Sequence, residues 1–570
     1  IEPQTGVYSL MQPTIQKIYK SRQIEESLLV WKNGKNNAAN NYYDYLKANA
    51  TSVLGATSFN KALYNGFNAS PNATTLSYAG GDAAQAAAEL GNFKASDLEL
   101  VLYTKTAMGD GTQANNPWLQ ELPDPLTRMS WDNYLTISPK DAERLGIEND
   151  LNARMQLDGS IVNLTVNGVT VKDVPVFIQP GQAEGSVGLA LGYGKKNSGA
   201  TADTGVNAYP LFDGSNLVVS NVKLEKTGED HEFAGIQLQN TLMGRYEIAK
   251  EVPLAEFLNV AFDDEHKGWN RPLEYHTISG ALPARKIDLW DAFDDTDGPH
   301  FNMSIDLNSC TGCGSCIIAC QAENNVPVVG KEEIRMSRDM YWLRIDRYYS
   351  SRQKVEVYEG LKEGMAVPEL YGTAFGDGGA LNHPADNPDV IFQPVMCQHC
   401  NHAPCETVCP VAATSHGKQG QNHMAYNRCI GTRYCANNCP YKVRRFNWFT
   451  YNLNDKFDFN MNNDLGRMVL NPDVVVRTRG VMEKCSLCIQ MTQTTILEAK
   501  KENRVVKDGE FQTACSKACT TGSIQFGDMN DKGSEVRKLY ADNRRYYLLE
   551  EIGTKPNVFY HTKVRNRVEK

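Results

Sequence analysis

The chain has 570 residues, of which 41% are hydrophobic and 22% charged, a composition typical of folded proteins and a length that suggests several domains. Its formal net charge of -9 argues against nucleic-acid binding, which needs a basic face. No run of about 18 apolar residues occurs, so the sequence predicts no membrane-spanning helix. The chain starts at Ile1, which we interpret as a processed terminus or a fragment edge, with any export signal removed.

Helix signals appear early in the chain. An alanine-rich stretch predicts a helix at Ala83–Leu90. Further on, Ser138 has the character of an N-cap, with Pro139 at the first helical position and Asp141 as the capping-box acid. These residues predict a short helix that ends at Gly146.

Strand signals follow this short helix. Alternating apolar residues predict strands at Ile161–Val166 and Val174–Ile178, and Pro180–Gly181 predicts a turn. The first half of the chain is therefore expected to contain an α/β segment followed by a β-rich domain.

The cysteines divide the chain into two unlike parts. All 15 lie between Cys310 and Cys519, and residues 1–309 contain none. An odd number cannot be fully paired in disulfides, and the spacings are typical of metal ligands.

Three of the four cysteine groups are complete. The first, Cys310, Cys313, Cys316 and Cys320, has the C-x2-C-x2-C-x3-C spacing by which bacterial ferredoxins bind a [4Fe–4S] cluster. The second has a wider middle gap and consists of Cys397, Cys400, Cys405 and Cys409. The last is divided by a long insertion, which a surface loop tolerates at little free-energy cost, and consists of Cys485, Cys488, Cys515 and Cys519.

The third group lacks one ligand. Cys429, Cys435 and Cys439 fit the same spacing, but Thr432 stands where the second cysteine belongs. A hydroxyl is a poor iron ligand beside soft thiolates. The sequence therefore predicts a [3Fe–4S] cluster at this motif.

The rule of ligand crossing assigns every cysteine. In two-cluster ferredoxins the last cysteine of a run binds the other cluster. Applied to two nested pairs of motifs, this rule predicts three [4Fe–4S] sites and one [3Fe–4S] site. They are site I (Cys310, Cys313, Cys316, Cys519), site II (Cys485, Cys488, Cys515, Cys320), site III (Cys397, Cys400, Cys405, Cys439) and site IV (Cys429, Cys435, Cys409). The alternative is structural zinc, but zinc sites usually pair two knuckles across a longer loop, which these compact runs do not favour.

The cysteine-rich half resembles a known family. The residues that carry the resemblance are CPYKVRRFNWF at Cys439–Phe449, NPDVVVRTRGVMEKCSLC at Asn471–Cys488 and TGSIQFGD at Thr521–Asp528. The stretch Cys310–Asn566 is similar to the four-cluster ferredoxin subunits of molybdopterin oxidoreductases such as nitrate, dimethyl sulfoxide and polysulfide reductases. The resemblance implies a double bacterial-ferredoxin-like fold, and nitrate reductases likewise replace one ligand of the third motif.

The N-terminal half resembles part of the catalytic subunits of the same enzymes. Trp131–Leu211 is similar to their C-terminal β-barrel domain, which helps to hold the pterin dinucleotide. Together the resemblances imply a multidomain α+β protein. Its expected parts are a partial α/β domain (1–110), a double-psi-like β-barrel domain (111–225), a linker (226–300) and a four-cluster ferredoxin domain (301–570). Because no cysteine precedes the barrel, we expect it to be vestigial and to hold no molybdopterin, although a Ser or Asp ligand, or one upstream of Ile1, stays open.

The order of these domains is informative about function. Their fusion, with NNPWLQELPDP at Asn115–Pro125, resembles the iron–sulfur subunits of alternative complex III, a quinol oxidase. This resemblance implies a non-catalytic electron-transfer subunit, peripheral on the periplasmic face of the bacterial inner membrane. Its expected partners are an integral membrane quinol-binding subunit and a multihaem cytochrome c subunit.

Alternatives remain at this stage. One alternative to the alternative complex III subunit is the electron-transfer subunit of a true molybdopterin reductase. Another is a structural scaffold whose clusters serve only to stabilise the fold. The positive charges of Lys442, Arg444 and Arg445 either raise the potential of a nearby cluster or serve packing at the surface.

Overall fold

The computed structural model describes residues 2, 5–54, 57–69, 80–91, 96–214, 216–243, 245, 247–259, 270, 273–288, 296–350, 388–454 and 463–566. The chain divides into two compact units, Ile1–Phe93 and Lys94–Lys570. In the described residues, no helix has both the length and the apolar character needed to cross a membrane.

The first unit is mainly helical. Its elements are β1 (Val7–Ser9), α1 (Ile24–Asn33), α2 (Tyr42–Leu54), α3 (Phe59–Asn65), β2 (Phe67–Ala69) and α4 (Ala83–Gly91). Strands β1 and β2 pair antiparallel, and a small core forms around Ala50, Leu54 and Ala62. Helix α4 confirms the helix predicted at Ala83–Leu90.

The second unit begins with a mixed eight-stranded sheet. Its strand order is β10-β3-β9-β5-β8-β7-β11, with β6 paired to β7. The strands are β3 (Glu99–Thr104), β5 (Leu135–Ile137), β6 (Asn149–Leu151), β7 (Leu157–Val166), β8 (Val169–Ile178), β9 (Ser186–Leu191), β10 (Val218–Val219) and β11 (Val222–Glu232). Helices α5 (Pro117–Glu121) and α6 (Pro139–Leu145) and the short strand pair β4 (Met129–Ser130) and β12 (Ala234–Gly235) lie outside this sheet.

The local sequence signals of this part are confirmed. The Ser138 hydroxyl accepts the Asp141 amide at 3.1 Å, and Gly146 ends α6 in the left-handed conformation. The two predicted strands are the ends of β7 and β8, which form an antiparallel hairpin. Their alternating side chains bury Val162, Leu164 and Val176 in the core of the sheet.

The unit boundary differs from the one expected from the sequence. The second unit starts at Lys94, and β3 pairs in parallel with β9, although residues up to 110 were expected to belong to the preceding domain. Strand β11 also runs past residue 225, the expected end of the barrel domain, and pairs with β7. Both differences arise from strand pairing between distant segments, which no local pattern shows.

The expected linker is partly structured. It contains β13 (Glu251–Pro253), α7 (Leu254–Asn259) and the hairpin β14 (Glu274–Thr277) and β15 (Gly280–Pro283). Strand β13 pairs in parallel with β26 (Lys563–Arg565), next to the end of the chain.

The cysteine-rich part is built on short elements. Its helices are α8 (Ser315–Glu323), α9 (Lys331–Arg335), α10 (Pro404–Thr407), α11 (Tyr434–Asn438), α12 (Asp464–Arg467), α13 (Ile489–Lys501), α14 (Ala514–Lys517) and α15 (Glu535–Tyr540). A sheet of order β23-β16-β25-β24 is formed by β16 (Phe301–Asp306), β23 (Ile524–Asp528), β24 (Arg545–Tyr546) and β25 (Val558–His561). Four strand pairs complete this part: β17 (Leu343–Ser350) with β18 (Asp389–Met396), β19 (Thr414–His416) with β20 (Asn422–Met424), β21 (Arg445–Phe446) with β22 (Met482–Glu483), and the β13–β26 pair.

Buried polar contacts join the sheet part to the cysteine-rich part within the second unit. The Glu121 carboxylate, 1% exposed, accepts the backbone amides of Val329 and Gly330 at 3.1 and 2.8 Å. The Trp118 indole donates to the Val326 carbonyl at 3.2 Å. The segment with the sequence NNPWLQELPDP therefore packs against Val326, Val329 and Gly330, which follow the first cysteine motif in the chain.

Candidate iron–sulfur sites

The four cysteine motifs come together as two pairs. Helix α14, which contains Cys515, packs against α8, which contains Cys316 and Cys320. Helix α10, which contains Cys405, packs against α11, which contains Cys435. The first motif therefore faces the last, and the second faces the third, as ligand crossing requires. All 15 cysteines lie in the described residues and all are free thiols.

The site I cysteines lie next to one another. Burial raises the pKa of Cys310 to about 11, and the neighbouring Cys519 and Cys313 add to the rise. Burial also raises the pKa of Cys316 well above its ordinary value, with Cys515 the strongest of the thiol neighbours. Helix α8 follows Gly314, which has a φ of 81° and at which a Cβ would lie 3.1 Å from Leu122 Cδ1. This left-handed turn lets the loop approach Leu122 closely.

The site II cysteines are all buried. Burial raises the pKa of Cys320 well above its ordinary value, and three thiols from the last motif contribute: Cys485, Cys488 and Cys515. The amide nitrogen of Asn324 lies 3.6 Å from Cys320 Sγ and 3.9 Å from Cys488 Sγ. Thiols from the first and last motifs thus share one location.

Site III is a cavity of about 330 Å³. Its cysteines are Cys397, Cys400, Cys405 and Cys439, the set predicted from the sequence. Ala403, Pro404 and Val443 supply apolar walls, and Arg444 supplies a charge. Burial raises the pKa of Cys405 to about 12 and that of Cys400 well above its ordinary value, the latter with help from Cys397.

Site IV is a neighbouring cavity of about 290 Å³. It is lined by Cys409, Cys429, Cys435 and, in the fourth position, Thr432. The backbone amide of Ala413 donates to Cys409 Sγ at 3.2 Å, and that of Met482 donates to Cys429 Sγ at 3.4 Å. Amide donors directed at sulfur stabilise the thiolate form that iron requires.

The donor set fits iron–sulfur clusters. In the described ranges, no three or more Cys, His, Asp or Glu side chains come together as ligands of a single metal ion. At sites III and IV the thiols instead surround cavities, with backbone amides directed at sulfur. Buried thiols around a cavity are the ligands that a cluster uses.

The structure also gives the order of the sites. Cys316 of site I has Cys515 of site II as a neighbour, and Cys485 of site II has Cys397 of site III. Burial lowers the pKa of the Arg444 guanidinium, but the adjacent thiols of Cys405 in site III and Cys435 in site IV outweigh it and raise the pKa. The sites therefore follow one another in the series I, II, III, IV.

The three cations after Cys439 have different surroundings. Arg444 is 6% exposed and donates to the Thr414 hydroxyl at 2.8 Å. Lys442 is exposed and donates to the Asn437 carbonyl, whereas Arg445 pairs with Asp339 at 3.1 Å. Of the three, Arg444 is the charge that lies against the cysteines.

Asn324 is a residue of the site that sequence reasoning missed. It follows Cys320 by four residues, the spacing that places two side chains on the same face of a helix. That spacing was the available signal, but an asparagine at a helix end more often serves as a cap.

Comparison with known proteins gives iron–sulfur proteins as relatives of this chain. The sequence model of a family described as a 4Fe-4S dicluster domain matches residues 388–463. The chain is 36% identical, over 264 residues, to the iron–sulfur cluster-binding subunit of menaquinone reductase from Nitratidesulfovibrio vulgaris, covering 46% of this chain and 88% of that protein. It is 33% identical to a putative dimethyl sulfoxide reductase iron–sulfur subunit from Halobacterium salinarum, covering 46% of this chain and 78% of that protein.

A third relative is the Hdr-like menaquinol oxidoreductase iron–sulfur subunit 1 of Archaeoglobus fulgidus, 30% identical over 45% of this chain and 81% of that protein. The matches cover most of each relative, and the names of all three relatives describe iron–sulfur subunits. The chain therefore belongs to the family of iron–sulfur electron-transfer subunits of quinol oxidoreductase and molybdoenzyme complexes.

Proposed function

We propose that the chain relays electrons from a membrane quinol, through one [3Fe–4S] and three [4Fe–4S] clusters, to the cytochrome c subunits of a respiratory complex. The observation that carries the proposal is the succession of neighbouring sites. Thiols of site I neighbour those of site II, thiols of site II neighbour those of site III, and Arg444 lies beside thiols of both site III and site IV. This succession gives an electron a path from site to site. Clusters bound at these sites supply the one-electron chemistry, and the chain supplies no catalytic residue.

The proposed stoichiometry rests on site IV. Thr432 lines this cavity where the other three sites have a fourth cysteine, and it is exposed to solvent. A threonine hydroxyl is a hard, weakly acidic group and does not replace a thiolate on iron. Three thiolates at site IV suit a [3Fe–4S] cluster, and four thiolates at each of sites I to III suit [4Fe–4S] clusters.

Site IV is the proposed electron-accepting end of the series. Cys409 and Cys429 are only partly buried, and the neighbouring Ile430 and Tyr434 are 65% and 55% exposed. Apolar side chains beside a surface-exposed site suit contact with an integral membrane subunit that holds the quinol. Two of the relatives are, by name, a menaquinone reductase subunit and a menaquinol oxidoreductase subunit.

Arg444 has a proposed role in setting potentials at this end. Its guanidinium is buried beside thiols of both site III and site IV. A buried cation stabilises added negative charge more than an exposed one, because solvent screens it less. Arg444 is therefore expected to raise the potentials of both sites, which favours acceptance of electrons from a quinol.

The assignment of the N-terminal parts belongs to the same proposal. The part of the second unit from β3 to β11 is proposed as a vestigial molybdopterin-type β-barrel without molybdopterin, and the residues before it as part of the preceding α/β domain. The chain is proposed to lie peripherally on the periplasmic face of the bacterial inner membrane, between the quinol-binding subunit and a multihaem cytochrome c. The overall arrangement is that of alternative complex III.

A specific observation favours a second candidate, the electron-transfer subunit of a genuine molybdopterin reductase. Cys313 of site I lines a cavity of about 290 Å³ together with Lys105, Leu122 and Tyr193 of the sheet part. The far end of the series therefore faces the domain that resembles a pterin-binding barrel. A molybdenum assay of the purified complex separates the candidates, because only the second requires molybdenum.

The first experiment is electron paramagnetic resonance (EPR) of the air-oxidised complex together with an iron count. A near-isotropic [3Fe–4S] signal and about 15 iron atoms per chain are expected. An EPR-silent oxidised protein with about 16 iron atoms would instead show that another ligand completes site IV. If the clusters do not change oxidation state between the potentials of quinol and cytochrome c, they serve only to stabilise the fold. That result would refute the proposed electron relay.

A further inference from the structure

Asn324 connects two ligands of site II. It lies at the C-terminal end of α8 and is 2% exposed. Its Nδ2 atom lies 3.6 Å from Cys320 Sγ and 3.9 Å from Cys488 Sγ, and it also donates to the Cys320 carbonyl at 3.1 Å. The two hydrogens of this amide are thus shared among one carbonyl and two sulfur atoms from different motifs.

The orientation of the Asn324 amide is fixed by its neighbours. Gln490 Nε2 donates to Asn324 Oδ1 at 3.3 Å, so the oxygen faces Gln490 and the nitrogen faces the sulfurs. Arg477 Nη1 donates to the Asn324 carbonyl at 2.7 Å. Arg477 is in turn held by Glu483 at 2.8 Å, a pair whose side chains are 0% and 1% exposed.

This network links site II to site IV through the backbone. Glu483 lies in β22 next to Met482, whose amide donates to Cys429 Sγ. Asn447 Nδ2 donates to the other carboxylate oxygen of Glu483 at 2.9 Å. The Glu483 carboxylate, with both oxygens hydrogen-bonded, holds Arg477, and Arg477 fixes the backbone carbonyl of Asn324. The side-chain amide itself is oriented by Gln490.

We propose that Asn324 donates N–H···S hydrogen bonds across site II and thereby raises the reduction potential of the cluster there. The inference rests on the proposed function, in which Cys320, Cys485, Cys488 and Cys515 hold that cluster. Hydrogen bonds to the sulfurs and burial are among the factors that set cluster potentials. A donor directed at sulfur stabilises the more negative, reduced state more than the oxidised state, because charge-assisted hydrogen bonds are the stronger ones.

Asn324 is a positioning and tuning residue and is not an iron ligand. Without this donor, site II would keep the backbone amides of Leu487 and Ala514, each 3.4 Å from a sulfur atom, and the Thr513 hydroxyl, 3.3 Å from Cys515 Sγ. It would lose the group that reaches both Cys320 and Cys488. A site in the middle of the series with too low a potential would slow transfer in both directions. The proposed hydrogen bonds to sulfur thus give the Asn324 carboxamide a role beyond helix capping and packing.

The test compares the holoprotein with Asn324→Leu, a substitution of similar size that removes the donor. We expect one of the three [4Fe–4S] potentials in an EPR-monitored titration to fall. The expected fall is roughly a tenfold change in the reduced-to-oxidised ratio, about 59 mV for a one-electron couple. The iron count is expected to stay unchanged. Asn302→Leu is the matched control, because Asn302 is also buried (5% exposed) and donates to the His300 carbonyl, and it is expected to leave all potentials unchanged.

The outcomes separate this inference from the proposed function. Full iron content with an unshifted set of potentials in Asn324→Leu would overturn the role of Asn324 and leave the ligand set intact. Absence of cluster signals from the unaltered protein would instead contradict the proposed function, in which the four cysteines of site II are iron ligands. If Asn324→Leu does not assemble, the unaltered protein labelled with 15N-asparagine gives the answer by electron–nuclear double resonance. An asparagine nitrogen coupled to a reduced [4Fe–4S] signal is expected, and its absence would refute the hydrogen bond.

Discussion

Sites III and IV are built from the same two motifs but have different surroundings. All four cysteines of site III are at most 9% exposed, whereas Cys409 and Cys429 of site IV are only partly buried. Site III has four thiols, and site IV has three thiols and exposed Thr432. A closed, fully thiolate site suits transfer between clusters, and a more open site suits exchange with another subunit. Burial and the number of thiol ligands thus distinguish two sites that are built from the same pair of cysteine motifs.

The largest expected effect comes from removing the ligand that crosses between the motifs. Cys439 belongs to the third motif but lines the site III cavity. Cys439→Ala leaves three thiolates at site III, so it is expected to convert that site to a second [3Fe–4S] cluster, with a loss of about one iron atom, and to keep the [3Fe–4S] signal of site IV. Iron analysis and EPR measure both.

The reciprocal variant is the control for Cys439→Ala. Cys409 belongs to the second motif but lines site IV, so Cys409→Ala is expected to lose the [3Fe–4S] signal and to keep site III. The opposite pattern in the two variants would show that ligands do not cross and that the two cavities are assigned to the wrong clusters.

The second prediction removes the difference in ligand number. Thr432→Cys supplies a fourth thiolate to site IV, so the iron content is expected to rise by about one atom per chain. The [3Fe–4S] signal of the oxidised protein should disappear, because a completed cube is silent in that state. Thr432→Ser is the control and should change neither. A [3Fe–4S] signal that persists in Thr432→Cys would contradict the assigned position of Thr432.

The third prediction concerns the charge that the two sites share. Arg444→Met removes a buried cation beside both cavities, and the potentials of sites III and IV are expected to fall together by tens of millivolts. Lys442→Met removes an exposed cation two residues earlier and is expected to have a much smaller effect, because solvent and salt screen it. Redox titration compares the variants. Equal shifts in both variants would show that Arg444 has no special role.

The smallest effect is expected away from both sites, at Glu121. Burial raises the pKa of this carboxyl group to about 8, although the Gly330 and Val329 amides oppose the rise. The folded protein therefore keeps a proton that the unfolded chain releases above about pH 4.5, so stability falls as the pH rises from about 4.5 to 8. The loss is at most about 1.4 kcal/mol per pH unit.

Glu121→Gln cannot titrate, so the stability of this variant relative to the unaltered protein is expected to increase with pH over that range. Thermal unfolding from pH 5 to 8 measures the difference. The EPR signals of sites III and IV should not change in this variant. A difference in stability that does not depend on pH would show that Glu121 is already ionised in the folded protein.

Much of the site could be predicted from the sequence because cysteine spacing is a local property. The sets of sites III and IV, including Thr432, line two separate cavities as the motif spacing suggested. The helix capped by Ser138 and the β7–β8 hairpin were also predictable, because capping and alternation act over a few residues. The identity of the bound clusters stays a prediction.

Other features depend on contacts between distant segments. The pairing of β3 with β9 moved the unit boundary, and the packing of α8 on α14 and of α10 on α11 set the order of the sites. The sequence also presented Lys442 and Arg444 as equal cations, and only folding buried one of them among thiols. Asn324 gained its role only when Cys488, distant in the chain, came within reach.

The sequence by itself determined the number of cysteine groups, the presence of Thr432 where the spacing expects a cysteine, and the short elements with clear capping or alternation signals. These depend on spacings of a few residues, which the covalent chain fixes. The tertiary structure decided which motifs face each other, which charges are buried and which cysteines are only partly buried. These features depend on burial and on contacts between helices and strands that are hundreds of residues apart. The free energy of such contacts comes from the whole core and not from any single segment.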